Sequence, residues 1–170
     1  MPLAAVSGEE IPYKIGPGDA LEISVWKDAD LTRQILVPPD GILSLPLIED
    51  IPVKNRTVAE LEKLITEKLS EFVSDASVTV MLIQANSLKA YVIGKVNNPG
   101  VFPIGLETNI MQILAMAGGL NPYAASGKII ILRKQAEDMI KIPFDYDEVK
   151  KGKHLEQNII LKRGDVVVVP

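Results

Sequence analysis

The sequence predicts an α+β protein of two small domains, each a mostly antiparallel or mixed sheet packed on one helix. Three observations predict it. A glycine and proline turn releases into an alternating strand between Tyr13 and Trp26, and a capped amphipathic helix starts at Thr57. The second half then repeats the order of strands around one helix and closes on RGDVVVVP.

The first domain is placed at residues 10–86. In YKIGPGDALEISVW, Pro17 fixes its own φ, Gly16 and Gly18 can take φ values closed to other residues, and Asp19 can bond local backbone amides. Leu21, Ile23 and Val25 then share one face and Glu22, Ser24 and Trp26 the other, the period of a half-buried strand. A second strand is expected around Gln34 to Val37, a turn at Pro38, Pro39, Asp40 and Gly41, and an extended run through ILSLPLI. Thr57 and Glu60 form a Thr-x-x-Glu capping box, each side chain satisfying an open amide at the helix start. Val58, Leu61, Ile65, Leu69 and Phe72 follow as one apolar stripe with Leu64 beside them, while Glu62, Lys63, Thr66, Glu67, Ser70 and Glu71 face water. SVTVMLI closes the domain as a strand from Ser77 to Ile83.

QANS, residues 84–87, is short and polar between two strands and marks the boundary, so the second domain is 87–170. LKAYVIGKV is a strand, and Asn97, Asn98, Pro99 and Gly100 turn it into VFPI. A short helix runs from about Asn109 to Ala117, capped by Thr108 or Asn109 and stopped by Gly118 and Gly119. Ile110, Ile113, Leu114 and Ala117 face one way, yet Met111, Ala115 and Met116 are apolar too, so little of this helix is expected to meet solvent. KIIILR, MIKIPF, NIILK and DVVVVP supply further strands, and Gly164 with Asp165 enters the last one as Gly18 and Asp19 enter the first.

With 170 residues, 47% hydrophobic and 24% charged, the chain is globular, the first ten residues excepted. Its net charge of −4 argues against nucleic acid or an anionic lipid surface as the main partner. Lys150, Lys151, Lys153 and His154 lack interleaved aromatics and read as a solvated loop. Cysteine is absent, which removes disulfides, iron–sulfur ligation and thiol nucleophiles, and the single His154 builds no convincing zinc site. The segment from Pro122 to Lys128 is not a phosphate loop, and Arg163, Gly164 and Asp165 are explained by a turn into a buried strand rather than by integrin binding. MPLAAVSGEE is too short and acidic for a secretory signal, so the chain is expected to be cytoplasmic or to have lost a targeting segment.

Taken together, these phrases resemble the outer-membrane polysaccharide export family. Tyr13 to Ile83 is similar to its polysaccharide biosynthesis/export domain through YKIGPGDALEISVW, VPPDGILSLPLI, TVAELEKLITEKL and the closing VTV strand. Lys89 to Pro170 is similar to its soluble-ligand-binding β-grasp (SLBB) domain through AYVIGKVNNPGVFPI, ILAMAGGLNPYA, IIILR and LKRGDVVVVP. The resemblance implies a β-grasp-like second domain and a periplasmic protein, with outer-membrane association open, that forms homo-oligomeric rings. It also implies passage of capsular polysaccharide or exopolysaccharide and work with an inner-membrane chain-length copolymerase. Fuller members carry an amphipathic C-terminal helix, and the chain shows neither that helix, nor a second β-grasp repeat, nor an anchor cysteine. A short soluble member or a trimmed form is therefore expected rather than a self-contained channel.

Two other readings stay open beside it. Asp145, Asp147 and Glu148 are the carboxylates best suited to a hydrolase, which needs an acid and a base across a cleft, although DYDE also reads as a loop facing water. A small-ligand or oligosaccharide module would use Asn97, Asn98, Asn121 and Tyr123, loop residues able to hydrogen-bond or stack on sugar rings and also suited to turns and helix stops. The expectation is no catalytic residue, cofactor or metal. Gly16, Pro17, Gly18, Asp19, Asp40, Gly41, Pro99, Gly100, Gly118, Gly119, Gly164 and Asp165 are read as architecture.

Overall fold

The computed structural model describes residues 12–170. The readings of the first ten residues, and the start of the first domain at residue 10, lie outside the described residues. The chain divides into two compact units between Ala85 and Asn86.

In the first unit β1 (Ala20–Val25) is the centre of a three-stranded antiparallel sheet, flanked by β2 (Asp28–Leu36) and β5 (Val78–Gln84). The alternation of the sequence is obeyed: Leu21, Ile23 and Val25 are buried, whereas Trp26, one residue past the strand, is 71% exposed. The second strand starts at Asp28, well before the expected Gln34, because pairing with β1 extends through Val25 and Asp28. ILSLPLI is not one extended run. It folds into a hairpin of β3 (Ile42–Leu45) and β4 (Ile48–Pro52), reversing at Leu47 with φ 73°. That reversal lets Leu43, Leu45, Ile48 and Ile51 all reach the same core.

Helix α1 (Val58–Leu69) starts with the expected capping box and buries Leu61, Ile65 and Leu69. These three pack with Ile23, Val78 and Val80, each such side chain contributing about 1.5–3 kcal/mol. Phe72 departs from the expected stripe and is exposed. The helix ends at Leu69, whose carbonyl accepts the amides of both Phe72 and Val73, and this tight turn brings Val73 against the core instead. Glu62 also leaves its expected wet face: its carboxylate accepts the Val80 amide at 3.0 Å, satisfying a donor on edge strand β5.

The second unit is a five-stranded mixed sheet in the order β7 (Gly100–Pro103), β6 (Lys89–Gly94), β10 (Val166–Val169), β8 (Ile129–Gln135), β9 (Asp138–Phe144). The first and last strands lie parallel at its centre, and all other pairs are antiparallel. Together with α2 (Ile110–Met116) on one face, this is the β-grasp arrangement. Ile110, Ile113, Leu114 and Ala117 join Val92, Val167 and Phe144 in one core. The helix nevertheless keeps a wet face of Gln112, Ala115 and Met116, contrary to the expectation that little of it meets solvent. Seven residues make two turns, and the apolar arc needed to cover the sheet takes only part of the circumference.

DYDE is not a loop: Asp145 caps the short helix α3 (Tyr146–Lys150), which buries Val149. NIILK is not a strand. The places beside β6 and β8 are already taken by β10, and in place of a ladder the segment's backbone makes a bridge from Ile160 to Asn109 and a bond from the Leu161 amide to the Thr108 carbonyl.

Candidate functional site

The same turn launches a central strand in each unit, β1 in the first and β10 in the second. In the first, the Gly16 amide donates to Asp19 Oδ2 at 2.8 Å and the Asp19 amide donates to the Gly16 carbonyl at 3.2 Å. In the second, the Lys162 amide donates to Asp165 Oδ2 at 2.8 Å and the Asp165 amide to the Lys162 carbonyl at 3.1 Å. The third residue of each turn is glycine at positive φ, 90° for Gly18 and 82° for Gly164, as a type II turn requires. Pro17 supplies the fixed φ of the second position in the first turn.

Each aspartate is buried and each has a third partner. Asp19 accepts the Tyr13 hydroxyl at 2.6 Å, whereas Asp165 is gripped by the Arg133 guanidinium, Nε to Oδ1 at 3.0 Å and Nη2 to Oδ2 at 2.7 Å. An Arg-Gly-Asp recognition loop needs an exposed carboxylate, and this one is 1% exposed. Tyr13 stands six residues before Asp19 in the same phrase, whereas Arg133 is 32 residues from Asp165 and leaves no local signal.

The remaining turn residues hold the backbone. Asp40 Oδ1 accepts the Ile42 amide at 3.0 Å, and the Gly41 carbonyl accepts from Val53 at 2.9 Å. Pro99 precedes β7, whose first residue, Gly100, pairs with Val92. Gly118 and Gly119, both at positive φ, end α2 with amide bonds to Ala115 and Leu114.

The structure gathers the loop residues suited to sugar contact at one end of the second unit. The Asn97 amide bonds to Gly119, its side-chain Nδ2 to the Gly118 carbonyl at 2.6 Å, and the Asn98 amide to Ala117. The Asn121 amide donates to the Lys95 carbonyl and its Oδ1 accepts the Tyr123 amide at 2.9 Å. Asn97 and Asn121 thus spend side-chain bonding capacity on the loops themselves. The Tyr123 ring is 80% exposed.

The carboxylates considered for acid–base work also have structural partners. Asp145 Oδ1 accepts the Glu148 amide as the cap of α3, and Asp147 accepts the Ser126 hydroxyl. Glu148 accepts Lys151 Nζ at 3.1 Å and lies 3.9 Å from Lys153 Nζ. The Lys151 hydrogen bond, then its charge, holds the Glu148 carboxyl below its ordinary 4.5, and Glu148 in turn raises Lys151. The His154 Nδ1 is 3.3 Å from Glu156. Beside the cap of α3, a groove of about 420 Å³ is lined by Lys128, Ile130, Lys141, Pro143, Asp145 and Gln157. Among the described residues no helix is long and apolar enough to cross a membrane.

Residues 7–83 match the polysaccharide biosynthesis/export protein family, and residues 88–169 match the SLBB domain. The chain belongs to the polysaccharide export family. Its relatives include the polysialic acid transport protein KpsD of Escherichia coli, 29% identical over 131 residues that make up 76% of this chain and 24% of that protein. The EPS I polysaccharide export outer membrane protein EpsA of Ralstonia solanacearum is 31% identical over 93% of this chain and 48% of its own length. The capsule polysaccharide export outer membrane protein CtrA of Neisseria meningitidis (serogroup A) is 24% identical over 89% of this chain and 43% of its own length. The chain therefore spans from a quarter to about half the length of these relatives.

Proposed function

We propose that this chain is a component of capsular polysaccharide or exopolysaccharide export, working in the periplasm at the outer membrane as an assembling scaffold or conduit. The observation that carries the reading is the consecutive match of its two units to the export domain and the SLBB domain, in the order shared with relatives named for export. The role is one of assembly and passage, with no bond made or broken. The carboxylates that a hydrolase would need serve as a helix cap, a hydroxyl acceptor and an ion-pair partner. The partners are the polymer, further copies of the chain, and an inner-membrane copolymerase that hands the growing polymer on.

Deleting the gene tests the reading directly. Surface polysaccharide should disappear while its synthesis continues, seen as polymer retained inside the cell. Normal surface polymer in the deletion strain would sink the proposal. Depolymerisation of the polysaccharide by purified protein, abolished by Asp145→Asn or Asp147→Asn, would replace it with the enzyme reading.

A further inference from the structure

The overall acidity of the chain conceals two halves of opposite sign. Residues 1–85 carry 7 Lys and Arg against 14 Asp and Glu, a net −7, whereas residues 86–170 carry 11 against 8, a net +3. An anionic polymer is repelled by the first unit and attracted by the second. Two of the cations responsible, Lys128 and Lys141, line the same concavity at the end of β8 and β9, and both are exposed.

The rest of that groove has the mixture a sugar requires. Ile130 and Pro143 are paired neighbours that give it an apolar wall, against which the C–H face of a pyranose can lie. Gln157 accepts the Asp145 amide at 2.8 Å through Oε1, leaving its NH2 group to donate to a ligand. Asp145 keeps acceptor capacity for a sugar hydroxyl beyond the one amide that its Oδ1 holds. A volume of about 420 Å³ lies within the range of small-ligand clefts.

We infer that this groove binds a carboxylate-bearing saccharide unit, the sugar carboxylate meeting Lys128 and Lys141 while hydroxyls meet Asp145 and Gln157. The inference rests on the export reading and narrows its substrate to an acidic polymer. Gly127 supplies an independent lever. It borders the groove, its φ lies outside the left-handed region, and a Cβ there would sit 3.4 Å from Asp145 Oδ2, so a larger residue fills the groove without altering charge or straining backbone.

Calorimetric titration of the full chain tests it, with short oligosialic acid and oligogalacturonate as carboxylated probes and dextran oligomers as the neutral control. The carboxylated probes should bind at least about tenfold tighter than dextran, with affinity falling as salt rises. Lys128→Glu with Lys141→Glu should weaken binding by about tenfold or more, and Gly127→Leu should do the same with all charges retained. Equal binding of dextran, unchanged binding in both variants, or no binding of any probe would overturn the inference. Loss of surface polymer in the deletion strain together with any of those results sinks the groove alone, whereas normal surface polymer sinks the export reading whatever the titration gives.

Discussion

Arg133 holds Asp165 through two parallel contacts of 3.0 and 2.7 Å, and the same guanidinium donates to the Ile160 carbonyl at 3.0 Å. One side chain on β8 thereby ties down the turn that launches β10, the central strand of its sheet. Removing one member of a buried pair leaves the other charge without compensation. Arg133→Met should therefore lower the unfolding free energy by about 3 kcal/mol in urea titration. Arg133→Lys should recover only part of it, because an ammonium cannot make the two-point contact.

Tyr13 stands in the same relation to Asp19, through a single 2.6 Å bond from a neutral donor. Tyr13→Phe keeps the ring and deletes that donor, so its cost should be smaller, about 1–2 kcal/mol. The comparison of the two variants under one denaturant checks the ranking. A larger loss for Tyr13→Phe than for Arg133→Met would contradict it.

Gly94 and Gly18 share positive φ but differ in surroundings. A Cβ on Gly94 would lie 2.0 Å from the Val169 carbonyl oxygen, whereas one on Gly18 would meet nothing within 4 Å. Gly18→Ala should cost about 1 kcal/mol from backbone conformation alone. Gly94→Ala must in addition push the β6 and β10 backbones apart, and its loss should exceed about 3 kcal/mol or prevent folding. Thermal unfolding of both variants separates the two effects.

The capping box of α1 gives a pH signature. The Thr57 backbone amide bonds to Glu60 Oε2 at 2.8 Å, and this bond is the main reason the Glu60 carboxyl is held below its ordinary 4.5. A carboxyl depressed in the folded state contributes stability fully above its unfolded value and loses it as pH falls through the lowered folded one. Glu60→Gln keeps a neutral acceptor, so the stability gap to the unaltered protein should be present at pH 7 and close below about pH 4.5. Thr57→Ala should cost about 1 kcal/mol at neutral pH, since it removes the acceptor of the Glu60 amide.

Local chemistry was enough to read the GPGD and RGD turns, the alternation of Leu21, Ile23 and Val25, and the Thr57 cap, because each depends on residues within a few positions. The misses are of another kind. Phe72 continued a helical period that the chain abandons after Leu69, and Glu62 looked solvated until edge strand β5 brought the Val80 amide to it. Of the residues around the groove, Asp145 stood out only as a candidate acid, and Lys128 and Lys141 carried no signal in a linear reading. They come together because β8 and β9 pair in one register, placing Ile129 opposite Phe144 and Leu132 opposite Lys141.

The amino-acid sequence by itself determined which turns stop and start the strands and which family the ordered phrases resemble. Those properties follow from φ restriction, capping and hydrophobic period, all short in range along the chain. Only the tertiary structure decided that Arg133 and not a neighbour satisfies Asp165, that NIILK is excluded from the sheet, and that two lysines share a groove. Each of these depends on which distant segment wins a place in the sheet. That competition is settled by the burial of Val167 and Val169 between β6 and β8, a contact across more than 70 residues that no local pattern records.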